Sequence, residues 1–416
     1  MVVIRLSGVL SFMIKRENYI NQIRPFIGGE LIKVLTGIRR SGKSVMLELI
    51  QAELVAQGAH DSQFIKFNFE DMGNARLCTA EALRNEVLMK VSDIEGKVYL
   101  FFDEIQEVAE WEKCINSFRV ELNCDIYITG SNANLLSGDL ATYLAGRYVE
   151  FIIYPFSFAE FLELYAAFFP EPHIQEVFTK YITLGGMPYL GNLRYENAPA
   201  QTYLHDLFNS VVLKDIIKRN KVRDVDLLER IIAYVMNNVG TIFSAAAISK
   251  YFKSENRITA PETIMNYIKY CMDAFLFYQV RRQDLQGKKL LTVNEKYYIA
   301  DHGIREAVFG GNAKDINLIL GNIVFMELLR RGYIITVGKT NSKEIDFVCE
   351  KKNEKLYIQV CYLLASEETI EREFGVYKSI KDNYPKYVVS LDEYDMSRDG
   401  IRHKNIRDFL LTHDFN

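Results

Sequence analysis

A short segment from Gly37 to Ser44, GIRRSGKS, has residue types and a spacing suited to holding phosphate groups. Its glycines let backbone N–H groups turn toward phosphate oxygens, and the helix expected after them adds the positive end of its dipole. Lys43 supplies a point charge, and the Ser44 hydroxyl is a suitable ligand for Mg²⁺. The segment predicts a P-loop for ATP and Mg²⁺ rather than an incidental glycine turn before a helix.

The surroundings of this loop support that prediction. Residues from Leu31 to Leu49 read as an apolar strand, a turn and a helix with apolar residues at helical spacing. Arg39 and Arg40 are close enough to a nucleotide to matter, but such positions often face solvent, so no role is assigned to them. The residues expected to contact the nucleotide are Gly37, Ile38, Arg39, Arg40, Ser41, Gly42, Lys43, Ser44 and Val45.

Two adjacent carboxylates follow a second apolar run, Val98-Tyr-Leu-Phe-Phe, and are Asp103 and Glu104. This pattern is typical of a buried parallel strand that carries a Walker B pair. We expect Asp103 to hold Mg²⁺ through water and Glu104 to orient or deprotonate the attacking water. The alternative for Glu104 is a solvated acid at the end of a strand.

Further polar residues follow a third strand-like run that ends at Gly130. Ser131 and Asn132 should emerge at the carboxyl edge of the sheet, where open α/β sheets bind ligands. Asn132 is predicted to sense the γ-phosphate, although Gly-Ser-Asn is also a common turn. Arg147 follows on a glycine-preceded loop and either reaches phosphates in its own or a neighbouring subunit or is a surface arginine.

Composition limits what else the chain can be. Its 416 residues exceed a usual single core, so we expect several ordered domains. A formal charge of -4 gives no general attraction to nucleic acid. Scattered cysteines predict reduced thiols and no structural zinc. No apolar run is long enough to span a bilayer, so we expect no membrane partner and a cytoplasmic protein. Residues 1–12 are either a start-site extension or an ordered edge.

Several motifs together resemble those of bacterial and archaeal AAA-like ATPases that carry a C-terminal domain of unknown function. They are IRRSGKS, LFFDEIQ, ITGSN, LAGRY, LGGMP, KDIIKRN, KYYIADHGIR and EIDFVCEKK, and the resemblance covers nearly all of residues 13–395. The resemblance implies an α/β fold with an AAA-like P-loop core, a winged-helix-like middle and a restriction-endonuclease-like C-terminal part. The predicted domains are the core at 13–155, a helical lid at 156–222, the winged-helix-like domain at 223–305 and the α/β nuclease-like domain at 306–416.

The middle of the chain contains the basic patches that are candidates for DNA contact. The end of an amphipathic pattern at 204–223 carries five basic residues against one acid, Asp215. Two helix-like segments and a hairpin then outline a winged helix. Its hairpin residues expected to meet phosphates are Arg281, Arg282, Lys288 and Lys289. The alternative is a module for packing or for contact with protein.

The C-terminal part has the outline of a nuclease without its usual catalytic residues. In such a fold Glu327, Glu344 and Asp346 would converge with the strand that contains Gln359 and Cys361. Magnesium-dependent cleavage normally needs a carboxylate at the position of Gln359 and a lysine at the position of Cys361. Because an amide and a thiol stand there, we expect no nuclease activity.

These patterns predict hydrolysis of ATP to ADP and phosphate with Mg²⁺, coupled to conformational change on DNA or on a protein complex. The alternative is a nucleotide-gated regulator that binds DNA or protein and turns over slowly. A homo-oligomer is expected if Arg147 acts on a neighbouring subunit, whereas a monomer would leave Arg147 to pair internally.

Overall fold

The computed structural model describes residues 2–6, 9–136, 144–255, 257–285, 289–310, 315–340, 343–352, 354–412 and 414–415. The chain divides into two compact units. The first unit is Met1–Pro155 with the short segment Asp273–Phe275, and the second is Phe156–Met272 with Leu276–Asn416. No helix within the described ranges is long and apolar enough to cross a membrane.

The first unit contains a parallel sheet and a separate hairpin. The hairpin is antiparallel and consists of β1 (Val2–Leu6) and β2 (Val9–Met13). The strands of the parallel sheet are β3 (Ile32–Thr36), β4 (Phe64–Asn68), β5 (Val98–Asp103), β6 (Cys124–Gly130) and β7 (Tyr148–Ile152). The helices are α1 (Glu17–Ile23), α2 (Lys43–Ala56), α3 (Ala80–Val91) and α4 (Trp111–Glu121).

The parallel sheet has the strand order β4-β5-β6-β3-β7. Its three central strands, β3, β5 and β6, are nearly continuously buried because both faces of the sheet are covered there. Along β3, Val34 belongs to the apolar cluster on one face and Leu35 to the cluster on the other. Since β6 lies between β3 and β5, the carboxyl ends of these three strands meet at one edge. The predicted α/β fold with a parallel core is confirmed, and this edge is where its ligand site is expected.

The second unit begins with helices and ends with a mixed sheet. Its helices are α5 (Phe158–Phe168), α6 (Ile174–Leu184), α7 (Asn197–Ser210), α8 (Val225–Asn237), α9 (Ala245–Ser254), α10 (Pro261–Asp273), α11 (His302–Phe309), α12 (Ile316–Arg330), α13 (Glu367–Gly375) and α14 (Ile406–Leu411). Helix α7 continues as a π-helical segment, Val211–Lys218. The strands are β8 (Phe277–Asp284), β9 (Lys289–Ile299), β10 (Ile334–Lys339), β11 (Glu344–Lys351), β12 (Glu354–Val360), β13 (Lys386–Ser390) and β14 (Arg402–Asn405).

The hairpin of β8 and β9 does not stand apart from the C-terminal strands. The seven strands follow the order β14-β13-β12-β11-β10-β8-β9, and β8 pairs in parallel with β10. The position predicted as a domain boundary, residue 305, therefore separates two groups of strands that share one sheet. The winged-helix-like and nuclease-like domains stay predictions.

Candidate nucleotide-binding site

The loop between β3 and α2 has a backbone that requires glycine. Gly37 has a φ of 138°, and a Cβ at this position would lie 2.3 Å from the carbonyl oxygen of Ile153. Gly42, which precedes α2, has a φ of 98°. These conformations are accessible to glycine and strained for other residues. The loop thus turns sharply from the strand into the helix, as expected of a phosphate cradle.

Lys43 is buried at the start of α2, where it is held by the loop. Its Nζ donates to the carbonyl oxygens of Gly37 at 3.1 Å and Ile38 at 3.3 Å. The same Nζ lies 3.9 Å from Oε1 of Glu104. Ser44 and Val45 are exposed in the first turn of the helix. The structure therefore brings the P-loop lysine and the second Walker B carboxylate together.

The hydroxyl of Thr129 connects Asp103 and Glu104. Its Oγ1 donates to Oδ1 of Asp103 at 2.5 Å and accepts from the backbone N–H of Glu104 at 2.9 Å. Asn68 Nδ2 donates to the other oxygen of Asp103 at 3.2 Å. Glu104 has a φ of 54°, and its carboxylate accepts a hydrogen bond from Gln106 Nε2. Three neighbouring strands thus fix the orientation of Asp103.

Sequence reasoning missed Thr129 and Asn68. Thr129 is a fully buried polar residue within the apolar strand β6, and Asn68 is the last residue of β4. A hydroxyl inside an apolar run was the only available signal for Thr129. Their roles depend on the strand order, because β4, β5 and β6 must be neighbours for these side chains to reach Asp103.

Negative charge accumulates beside Asp103. Burial raises the pKa of Glu48 on α2, Lys66 opposes that rise, and the charge of Asp103 adds to it. The contribution of Asp103 shows that the two carboxyl groups repel each other, and a cation bound at Asp103 would reduce that repulsion. This edge of the sheet therefore suits Mg²⁺.

Buried hydroxyl groups without protein partners also lie in this part of the unit. Neither Ser41 Oγ nor Ser131 Oγ has a hydrogen-bond partner among the residues that the structure describes. Both serines are almost completely buried, and Asn132 beside them is 4% exposed. Since buried polar atoms are nearly always satisfied, such hydroxyls indicate a place for ligand oxygens. Asn132 occupies the edge predicted for a phosphate sensor.

Two arginines, Arg39 within the loop and Arg16 outside it, attach the loop to the rest of the unit. Arg39 Nη1 lies 3.0 Å from Oε1 of Glu70. Arg16, which sequence reasoning missed, donates from Nη1 to the carbonyl oxygen of Ser41 at 3.1 Å and from Nη2 to that of Tyr154 at 2.9 Å. Arg40 is exposed and has a φ of 67°. Arg16 and Arg39 therefore hold the loop in place. No role is assigned to Arg40.

Arg147 lies at the opposite edge of the sheet from the P-loop. It immediately precedes β7, which pairs in parallel with β3 from Ile32 onward, and its backbone oxygen accepts from Ile32 N. The length of β3, roughly 20 Å, separates the backbone of Arg147 from Gly37 at the other end of the strand. Its Nη1 donates to Asn116 Oδ1 at 3.0 Å. The alternative in which Arg147 reaches phosphates of its own subunit is wrong, because strand direction places it at the amino edge.

The carboxylates of the seven-stranded sheet bind groups of the protein itself. Glu344 pairs with Arg282 at 3.0 Å and with Lys296 at 2.5 Å. Asp346 Oδ2 accepts from Val360 N at 3.0 Å, and Asp346 N donates to Gln359 Oε1 at 3.1 Å. Two cations are thus present beside these carboxylates, and they come from β8 and β9.

One expectation for this sheet needs correction, and the convergence of Glu327 with Glu344 and Asp346 stays a prediction. The Glu327 carboxylate pairs with Arg331 at 2.7 Å and with Arg330 at 3.5 Å. Arg282 was expected to meet DNA phosphates, but it is 9% exposed and bound to Glu344. Alternation along β8 turns Arg281 outward and Arg282 inward. Lys288 and the side chain of Lys289 lie outside the described residues.

Comparisons with known proteins agree with this geometry. Residues 30–162 match the model of a family described as AAA domain, and residues 175–315 match a domain of unknown function, DUF8612. An uncharacterized protein of Haemophilus influenzae is 40% identical over 400 residues, which cover 96% of this chain and 99% of that protein. The uncharacterized protein MJ1544 of Methanocaldococcus jannaschii is 30% identical over 364 residues, which cover 84% and 79%.

Similarity to solved structures is weaker. AMPPCP-bound DnaA from Aquifex aeolicus shares 14% identity, with a TM-score of 0.35 over 63% of this chain and 89% of that chain. A likeness at that level supports no argument about activity. The AAA match and the two long alignments carry the assignment. The chain therefore contains an AAA-like P-loop domain and belongs to the family that includes the uncharacterized Haemophilus influenzae protein and MJ1544.

Proposed function

We propose that this protein binds ATP with Mg²⁺ at residues 37–45 and hydrolyses it to ADP and phosphate. The observation that carries the proposal is the hydrogen-bonded unit of Asp103, Thr129 and Glu104 beside Lys43. An enzyme that hydrolyses ATP needs a magnesium ligand, a group that positions water and a charge for the phosphates. Here one threonine fixes the first two groups, and the third is 3.9 Å from Glu104.

The residues present fit both the nucleotide and the cation. The glycine backbone at Gly37 keeps the loop open to phosphates, and the buried hydroxyls of Ser41 and Ser131 can donate to their oxygens. Ser44 and Asp103 would hold Mg²⁺, directly or through water. When bound, the cation neutralises charge on the phosphate oxygens.

Each polar residue then has a distinct role. Lys43 binds phosphate oxygens as a positive charge. Glu104 orients the attacking water and accepts its proton, and Asn132 contacts the γ-phosphate. Arg147, which faces away from its own loop, would serve a neighbouring copy of the chain in a homo-oligomer. Thr129 acts through Asp103 and Glu104, so we place it as a positioning residue.

A second candidate is a nucleotide-gated switch with slow turnover. Gln106 Nε2 donates to Oε2 of Glu104, while Lys43 lies on the side of Oε1. These two contacts occupy both sides of the carboxylate and leave fewer acceptor positions for the attacking water. If water is seldom held in line with the phosphate for this reason, ATP selects a conformation and turnover is limited.

DNA is the partner that the exposed basic residues favour. In and after the π-helical segment, Lys214, Lys218 and Lys221 are exposed, whereas the acid Asp215 is buried at 2% exposure. The surface charge of this stretch is therefore entirely basic, which suits a phosphate backbone. Arg281, on the outward side of β8, is a further exposed basic residue and lies in the predicted winged-helix-like domain. If DNA binds to this surface, we expect its binding to change the rate of ATP hydrolysis.

The experiment is steady-state phosphate release from purified protein with ATP and Mg²⁺, with and without duplex DNA, compared with Lys43→Ala. We expect turnover by the wild type, loss of turnover in Lys43→Ala and stimulation of the wild type by DNA. ATP binding without phosphate release under all conditions would reject hydrolysis and support the switch. Equal rates with and without DNA would reject DNA as the coupled partner.

A further inference from the structure

A basic cavity of about 560 Å³ opens beside the amino ends of β13 and β14, within the second unit. It is lined by α13 and by residues 380–386 and 398–402. Its volume falls in the range of small-molecule sites in proteins. The cationic side chains of the lining are Lys378, Lys381, Lys386, Arg398 and Arg402, and the carboxylates are Glu371, Asp382 and Asp399. The lining thus carries two excess positive charges in a chain whose formal charge is -4.

Two of the carboxylates are already neutralised by the protein. Glu371 pairs with Lys378 at 2.6 Å. Asp382 pairs with Lys386 at 3.3 Å and also accepts a hydrogen bond from the Tyr357 hydroxyl at 2.6 Å. Three cations, Lys381 and the two arginines, thus remain against one further lining carboxylate, Asp399. This imbalance favours an anionic ligand.

Each of the two arginines lies beside an aromatic ring. The Arg398 guanidinium lies 5.3 Å from the centroid of the Phe374 ring, and the carboxylate of Glu367, with which it pairs at 4.0 Å, is 88% exposed. The Arg402 guanidinium lies 5.7 Å from the Tyr387 ring and donates to its hydroxyl at 2.8 Å. An aromatic neighbour at this distance restricts the orientation of a planar guanidinium and leaves N–H groups for a phosphate. Lys381 is exposed and has no hydrogen bond or ion pair within the described part of the chain.

An exposed aromatic ring lies in the same lining. Tyr384 is 45% exposed and precedes Pro385. A base can stack on such a ring, since every base has a π-face. We propose that this cavity binds a phosphate-bearing nucleotide unit, with Lys381, Arg398 and Arg402 at the phosphate and Tyr384 at the base. The unit is either part of a single-stranded nucleic acid or a free nucleotide. The site is separate from the P-loop and does not depend on ATP hydrolysis.

The test measures fluorescence anisotropy of a labelled oligothymidylate in full-length Lys43→Ala protein, where the P-loop lysine is removed. The test variant carries Lys381→Glu and Arg398→Glu, and the matched control carries Lys90→Glu, an exposed lysine on α3 that pairs with Glu86. We expect the double variant to weaken binding by about tenfold or more and to lower the salt slope by about two, because two phosphate contacts are lost. Tyr384→Ala should weaken binding without changing the salt slope.

Unlabelled AMP distinguishes the two sources of the nucleotide. Displacement of the oligonucleotide by AMP identifies a free nucleotide as a sufficient ligand, whereas retention of the oligonucleotide identifies the strand. Circular dichroism of each variant checks that the fold is intact. An affinity and a salt slope in the double variant equal to those of the Lys90→Glu control overturn the proposal. So does a wild-type cavity that binds neither ligand.

Discussion

The two sheets of this protein both carry acidic residues at strand ends, but they treat the carboxylates differently. In the first unit, Asp103 is oriented by Thr129 and Asn68, both uncharged, and the buried hydroxyl of Ser131 has no partner among the described residues. In the second unit, Glu344 is paired with both Arg282 and Lys296. A carboxylate that no protein cation neutralises is available to bind a ligand cation. A carboxylate that is paired with protein cations has a structural role.

The electrostatics of the second sheet make the same point. Burial raises the pKa of Asp346 to about 6, Lys296 opposes that rise, and the carboxylates Glu373 and Glu344 add to it. Burial also raises the pKa of the Cys361 thiol. Lys296 already supplies a positive charge beside Asp346, and the thiol of Cys361 stays neutral, so these residues offer Mg²⁺ less negative charge than two unpaired carboxylates would. The expected lack of nuclease activity stays a prediction, and these interactions give it a physical basis.

The largest expected effect tests the cradle of the first sheet. Gly37→Ala should abolish ATP binding, because its Cβ would lie 2.3 Å from the Ile153 carbonyl oxygen at a φ of 138°. Gly58→Ala is the control, since Gly58 has a φ of 100° but nothing within 4 Å of a Cβ. The measurement is the ATP-induced rise in melting temperature. An undiminished rise in Gly37→Ala would show that the loop does not need its glycine.

The next effect tests the neutralised carboxylate of the second sheet. Glu344→Gln should lower the free energy of unfolding by about 2 kcal/mol, because Arg282 and Lys296 would be left as buried charges without a partner. Glu350→Gln on the same strand should change it by less than about 0.5 kcal/mol, since its pair with Lys355 is exposed. Urea denaturation provides the measurement. Equal effects of the two substitutions would contradict a structural role for Glu344.

A smaller effect tests the positioning residue of the first sheet. Thr129→Val keeps the shape of the side chain but removes the hydrogen bonds to Asp103 and Glu104. We expect kcat for ATP to fall by about tenfold, a change of about 1.4 kcal/mol in the barrier, with ATP affinity within about twofold. Thr129→Ser should restore most of the rate. A Thr129→Val protein with the wild-type kcat would show that the hydroxyl does not orient the carboxylates.

The smallest effect concerns Asp346 and depends on pH. Because its pKa in the folded protein is about 6, above the unfolded value of about 3.9, the folded state binds this proton more tightly. Its contribution to stability is present below about pH 4 and is lost as pH rises to about 6. Asp346→Asn should therefore be more stable than the wild type at pH 8, on the order of 1 kcal/mol, and equal at pH 4. Chemical denaturation at both pH values measures the difference.

A different outcome for Asp346 would change its interpretation. If Mg²⁺ stabilised the wild type at pH 8 and this stabilisation disappeared in Asp346→Asn, the carboxylate would be a metal ligand. We expect the same Mg²⁺ response in both proteins when ATP is absent.

Local patterns were sufficient for one part of the site and not for the rest. The P-loop and the carboxylates of β5 lie in continuous stretches, so strand, turn and helix could be predicted directly. The contacts of Thr129 and Asn68 depend on which strands are neighbours, which no local pattern contains. The position of Arg147 follows from the direction of β7, and the parallel core was predicted, so this correction was within reach of the sequence.

The second unit was harder to predict for a physical reason. The hairpin of β8 and β9 has the local pattern of a free wing, but β8 pairs with β10, about fifty residues later in the chain. That pairing buries Arg282 and brings Lys296 to Glu344. Which face of a strand is buried depends on such distant partners, so the sequence could not distinguish the inward arginine from the outward one.

The central claim is that Glu104 positions the water that hydrolyses ATP. The most direct measurement compares ATP affinity and phosphate release in Glu104→Gln and in Glu107→Gln, an exposed neighbour three residues away. The account predicts that Glu104→Gln keeps ATP affinity within about threefold and loses at least about a hundredfold in turnover, while Glu107→Gln behaves like the wild type. A Glu104→Gln protein that hydrolyses ATP at the wild-type rate would contradict it.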